Sequence, residues 1–208
     1  MPKIPICIDL DGTLIHTDML HESAFCLVKA APLSVLKLPW VLLTKGKADL
    51  KQWIAEKVDF DPSVLPYNQV FVKWLREQQA MGRRLVLCTA SDRSIAEPIA
   101  KYLGFFDEVM ASDGLINLEG KSKAKALVEK FGKKGFDYAG NSMPDLEVWH
   151  HARKAIVVNA SSQLLTDVIT LTEVEAVFDG LNSKFTIWCR YTRHTLRNIN
   201  VLTCLYIF

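Results

Sequence analysis

The 208 residues predict an α/β fold: a parallel sheet with helices on both faces and a helical segment inserted between the first strand and the second. Three observations carry that expectation. Short, almost uninterrupted apolar runs recur at 4–10, 84–89, 136–140 and 155–158, as in strands buried on both faces. Stretches with apolar residues at i, i+3 and i+4 fall between and beside the later runs, at 93–103, 122–131 and 145–152. The runs lead into acidic, hydroxyl or amide residues, and open sheets of this kind bind ligands beyond the carboxyl ends of their strands.

The first run leads into Asp9-Leu10-Asp11-Gly12-Thr13-Leu14. Two carboxylates at i and i+2 leaving a buried strand, with Gly where the chain turns, place one acid as a nucleophile and the other within reach of a leaving group. A hard cation between them would offset their repulsion and polarise a phosphate. Residues 15–83 then intervene, roughly 70 positions and too many for a simple crossover. Helical patterning at 18–30, 48–58 and 67–80 makes this stretch an inserted helical cap. Within it Pro32–Leu43 is apolar nearly all round and reads as the packed centre of the insert, with a lipid-facing patch as the alternative.

The second run ends in Thr89-Ala90-Ser91, followed by Asp92 in position to cap a helix. A threonine at a strand end beside a helix N-terminus can donate to a phosphate oxygen, with neighbouring backbone N–H groups assisting. Gly120-Lys121-Ser122-Lys123-Ala124-Lys125 opens the next helix with three lysines, any of which could neutralise phosphate charge. After the third run, Gly140-Asn141-Ser142-Met143-Pro144-Asp145 sets two oxygen-bearing side chains four apart, suited to a magnesium ion that keeps waters and phosphate as its other ligands.

Composition removes other classes. Lys+Arg 25 against Asp+Glu 23 gives a net charge of +2, so no electrostatic case exists for a nucleic-acid partner. The five cysteines (7, 26, 88, 189 and 204) are odd in number, scattered and without a CxxC pair, which argues against a disulfide scaffold and for a reducing compartment. No secretory signal opens the chain, and a cytoplasmic location is expected. Mean hydropathy is +0.12, yet no run approaches the roughly 18 apolar residues of a membrane span.

In this order, each at an expected strand end, the four motifs resemble the haloacid dehalogenase superfamily over residues 3–158, in its phosphoserine-phosphatase-like branch with a helical cap. The resemblance implies a Rossmann-like core of residues 1–14 and 84–182 and a cap of 15–83. It also implies a magnesium-dependent phosphomonoester hydrolase acting through an aspartyl-phosphate. Asp9 then resembles the nucleophile and Asp11 the general acid and base. Thr89 and Ala90 resemble the phosphate-binding motif, and Lys123, ahead of Lys121, the phosphate-binding lysine; Asp9, Asp11, Asn141 and Asp145 make up the metal site. Many members have an acid where Asn141 stands, so this site holds one charge fewer and activity is less assured. His21 and Arg93 are candidate substrate contacts.

Segments 18–23, 65–68, 89–93 and 138–142 are also similar to the phosphatase-like domain that precedes UbiA-type membrane prenyltransferases. Lys184, Arg190, Arg193 and Arg197, with Trp188 and Tyr191 among them, precede an apolar stretch at 199–208. Residues 183–208 are therefore expected to be a basic and apolar tail where a membrane domain would begin. Ten residues at 1.5 Å each cannot cross about 30 Å of hydrocarbon. The resemblance implies a phosphorylated small-molecule or lipid-linked substrate, a UbiA-type partner, and a location at the inner face of the cytoplasmic membrane. A non-catalytic docking or regulatory domain of such a partner is the alternative.

Overall fold

The computed structural model describes residues 3–19, 61–113 and 117–178. In chain order its elements are β1 (Ile6–Ile8), α1 (Gln69–Ala80), β2 (Leu85–Asp92), α2 (Arg93–Leu103), β3 (Glu108–Ser112), α3 (Lys121–Phe131), β4 (Asp137–Gly140), α4 (Leu146–Trp149), β5 (Lys154–Val158), α5 (Ser162–Leu171) and β6 (Glu173–Phe178). Two 3-10 turns, Pro62–Val64 and Met143–Asp145, precede α1 and α4. The strands form one parallel sheet in the order β3-β2-β1-β4-β5-β6. The chain builds outward from β1 to β3, then returns to the other side of β1 with β4. That reversal puts the topological switch between β1 and β4, where the crevice above the strand ends opens.

Period-two alternation covers both faces. Ile6, Ile8, Leu85, Leu87, Ala139, Ile156 and Val158 share one core with Phe71 and Leu75 of α1 and Ile95 and Ile99 of α2. Cys7, Val86, Cys88, Tyr138, Ala155 and Val157 share the other with Leu127 of α3, Trp149 of α4 and Val168 of α5. At the opposite end of the sheet from the crevice, the fully buried Asp137 accepts hydrogen bonds from Arg83 and from Arg153 (2.9 and 2.6 Å). This cluster ties the start of β4 to the chain on either side.

Several elements depart from the sequence expectation. The patterning at 67–80 becomes α1, which packs on the sheet, and its N-cap Asn68 both accepts from Phe71 N–H and donates its own N–H to Leu14 O. The helix expected at 145–152 is a 3-10 turn, Met143–Asp145, followed by the four-residue α4, with Pro144 in the first turn, where its missing N–H costs nothing. β2 continues past Thr89 to Asp92 through a register shift against β3. β3, α5 and β6 carry no apolar run of the kind that marks the inner strands; β3 and β6 are the sheet edges, and β6 alternates exposed and half-buried residues. His21, the 48–58 helix, Pro32–Leu43 and the tail at 183–208 lie outside the described residues.

Candidate active site

Asp9 is the first residue beyond β1, and its N–H donates to Ala139 O of β4 at 3.0 Å, so it sits at the switch point. Its Oδ1 accepts from Lys123 Nζ at 2.6 Å, and both side chains are buried. Lys123 reaches it from the third position of α3. Of the three lysines there, Lys121 is 85% exposed and lies 3.9 Å from Glu147, whereas Lys123 faces inward with Ala124 and Leu127. Lys123 Nζ also donates to the Tyr138 hydroxyl at 3.0 Å, and that hydroxyl donates to Asp145 Oδ1 at 2.7 Å.

Asp145 is held from both sides. Its Oδ2 accepts from Asn141 N, Ser142 N and Ser142 Oγ at 3.1, 3.0 and 2.7 Å. The missing side chain of Gly140 makes room: a Cβ there would lie 2.8 Å from the Asp145 carboxyl. Hydrogen bonds to both oxygens tie Asp145 into the loop after β4.

On the other flank, Asp11 Oδ1 accepts from Met19 N–H at 2.7 Å and Oδ2 from Ser91 Oγ at 2.9 Å. Thr89 is fully buried, and its Oγ1 accepts from Ser91 N–H at 2.9 Å, shaping the turn that holds Ala90. Thr13 Oγ1 donates to Asn141 Oδ1 at 3.3 Å, joining the β1 loop to the β4 loop. Asn159, after β5, donates from Nδ2 to Gly12 O at 2.9 Å. Arg93 is not brought to this cluster: half exposed, it pairs with Glu97 one turn along α2 at 3.2 Å.

Gly12 sits at φ +74°, and a Cβ on it would lie 2.1 Å from Asn141 Nδ2. Gly12→Ala is therefore expected to displace Asn141 and the Asp11 turn together. A loss of about 2 kcal/mol of stability should accompany loss of any activity, read by a thermal melt alongside the activity assay. A variant with unchanged melting and unchanged activity would contradict this placement.

The electrostatics set Asp9, Asp11 and Asp145 against the ammonium of Lys123. Burial, opposed by Lys123 and reinforced by Asp145 and Asp11, pushes the Asp9 carboxyl up to about 7. Burial works against the Lys123 charge, but Asp9 and Asp145 outweigh it and hold that ammonium above the ordinary lysine range. Burial, with Asp145 and Asp9 nearby, also keeps the Tyr138 phenol neutral.

Among the described residues, no three His, Cys, Asp or Glu side chains form a metal-binding group. The oxygens that the loops after β1 and β4 supply, the carboxylates of Asp9 and Asp11 and the amide oxygen of Asn141, are all hard donors. They fit a magnesium ion that keeps several waters. Tyr138, Ser91, Ser142 and Thr13 were not foreseen from sequence. The available signal was the rule that a buried Tyr or Ser hydroxyl needs a partner.

A crevice at the topological switch point of a parallel sheet is where folds of this kind bind their ligands. The chain is a member of the haloacid dehalogenase-like hydrolases, whose family model matches residues 41–150. That match begins after Asp9 and Asp11, so their place in the site rests on the geometry above. The uncharacterized protein y4nM of Sinorhizobium fredii is 39% identical over 158 residues, which is 75% of this chain and 30% of that protein. The chain thus spans under a third of this curated relative. A protein of unknown function from Bordetella pertussis Tohama I superposes with TM-score 0.65 at 16% identity, covering 86% of this chain and 99% of that one. Phosphoserine phosphatase structures, a substrate complex and a phospho-aspartyl intermediate analogue, each give TM-score 0.59 at 14% and 15% identity, covering 96% of this chain and 100% of theirs. At such identities these likenesses speak for the fold alone.

Proposed function

We propose that this member of the family is a magnesium-dependent phosphomonoester hydrolase that works through an aspartyl-phosphate on Asp9. The observation that carries the reading is the buried Lys123–Asp9 contact at the switch point, an ammonium held against a strand-end carboxylate. In the first step an Asp9 oxygen attacks phosphorus and the ester oxygen leaves, taking a proton from Asp11. In the second, Asp11 takes a proton from the water that attacks the phosphoryl group, releasing phosphate and restoring Asp9. Thr89 and the Ala90 N–H hold phosphoryl oxygens, and Lys123 offsets their charge as it redistributes. Asp9, Asp11 and Asn141 would hold magnesium, with Asp145 fixing the Asn141 loop. When bound, the ion supplies the positive charge that keeps Asp9 ionised and neutralises phosphoryl oxygens.

The test is turnover of an aryl phosphate with and without magnesium, paired with calorimetric titration of magnesium plus beryllium fluoride. Magnesium-dependent turnover and saturable fluoride binding are expected; neither occurring would remove the reading. A second reading, a docking or regulatory domain, is favoured by the match covering 30% of y4nM, together with the uncharged Asn141. Prenyl- or phosphoribosyl-lipid phosphates are the substrate class for the hydrolase; under the second reading the partner is a UbiA-type membrane prenyltransferase, and the domain works at the inner face of the cytoplasmic membrane. Among the described residues no helix is long and apolar enough to cross a membrane. Absence of binding of the phospho-aspartate mimic would favour this second reading.

A further inference from the structure

We infer that Tyr138 is a positioning residue: its hydroxyl stands between Lys123 and Asp145 and aims the lysine at Asp9. The inference rests on the hydrolase reading above and concerns how its buried charge is directed.

An ammonium has three protons and no lone pair, so Lys123 can only donate. The hydrogen-bond polarity of the chain is therefore fixed. Lys123 donates to the Tyr138 oxygen at 3.0 Å, and Tyr138 passes its single proton to Asp145 Oδ1 at 2.7 Å. A phenol in this position satisfies both neighbours at once, and reversing either bond would leave the lysine facing a proton.

The separations show what the hydroxyl does. Lys123 lies 2.6 Å from Asp9 and 3.9 Å from Asp145. Both carboxylates are buried, and each would attract the ammonium strongly in so dry a site. Tyr138 bridges Lys123 and Asp145, accepting from the lysine and donating a proton of its own to the Asp145 carboxylate. Lys123 therefore makes its close ion pair with Asp9 rather than dividing it between two acids.

The ring that carries the hydroxyl is rigidly placed. Tyr138 is fully buried in β4, its ring packs edge-on against Trp149 with centroids 6.0 Å apart, and Trp149 Nε1 donates to the Tyr138 carbonyl at 3.0 Å. The phenol oxygen is held to a narrow range of positions by two χ angles and this packing. It acts through Lys123 and touches neither Asp9 nor the reacting atoms.

Without the hydroxyl, the ammonium is free to close on Asp145. Tyr138→Phe should therefore lower kcat on an aryl phosphate by about 10- to 100-fold while KM stays within about threefold. The discriminating variant adds Asp145→Asn in the Phe background. Removing the competing charge should return Lys123 to Asp9 and recover at least about tenfold of the lost kcat. A merely structural role for Tyr138 predicts a further loss on the second substitution instead. Magnesium-dependent beryllium fluoride affinity of the same three proteins should follow the same order, wild type above the double variant above Tyr138→Phe. Wild-type turnover with Tyr138→Phe equal to it, or a double variant no better than Tyr138→Phe, would overturn the inference and leave the hydrolase reading standing. A wild type with neither turnover nor fluoride binding would overturn both.

Discussion

Asp9→Asn is expected to cost at least about 1000-fold in turnover of an aryl phosphate and, in the same protein, to raise the melting temperature of the metal-free form at pH 8. The first effect follows from the loss of the attacking oxygen's charge. The second follows from burial. Asp9 titrates near 7 in the fold against an ordinary value of 3.8, so the folded state favours the neutral carboxyl. The stability this contributes is complete below about pH 4 and is lost as pH rises through about 7. An amide is neutral throughout, so the variant should be the more stable protein above pH 7, by an amount on the order of 2 kcal/mol or a few degrees of melting temperature. That advantage should fade as pH approaches 4. Melts in chelator from pH 4 to 8 check the sign, and a wild type more stable than Asp9→Asn at pH 8 would contradict it.

Lys123→Met should do the opposite to stability while also abolishing turnover. Among the described residues Lys123 is the ammonium paired with Asp9 and nearest to Asp145, and its removal leaves two buried carboxylates without it. Breaking one side of a buried pair typically costs about 3–5 kcal/mol, which for a chain of this size is about 10 °C. Combining Lys123→Met with Asp9→Asn should recover a large part of that loss, because the second substitution removes one of the stranded charges. Denaturant titration of the two single variants and the double variant measures the coupling. Additive losses would show that the two side chains do not depend on each other.

The inner sheet was legible because β1, β2, β4 and β5 are buried on both faces and advertise it as apolar runs. The edge strands were not. Glu108-Val109-Met110-Ala111-Ser112 and Glu173-Val174-Glu175-Ala176-Val177-Phe178 mix acids with apolar residues, as strands open to solvent on one side can. Lys123 stood out from Lys121 by a signal already in the sequence, since it lies one turn before Leu127 and beside Ala124 on the apolar face of α3. Arg93 pairs with Glu97 four residues on, a partner that helical spacing already offers. Tyr138 was hidden inside a run read only for its hydrophobicity. The anchoring of the loop by Asp145 depends on three donors from Asn141 and Ser142, a geometry that spacing alone does not encode.

The contacts that assemble the crevice also span long stretches of chain. Ser91 and Asp11 are 80 residues apart, Lys123 and Asp9 are 114 apart, and Thr13 and Asn141 are 128 apart. Each closes a long loop, whose entropy must be met before the contact returns anything. On the ribosome, β1 emerges carrying both of its carboxylates long before Lys123 and Asn141 exist. For that interval Asp9 and Asp11 are ordinary solvated acids. The affinity for phosphate and cation that we assign to them arises only when β4 docks beside β1, so ligand binding reports completion of the fold.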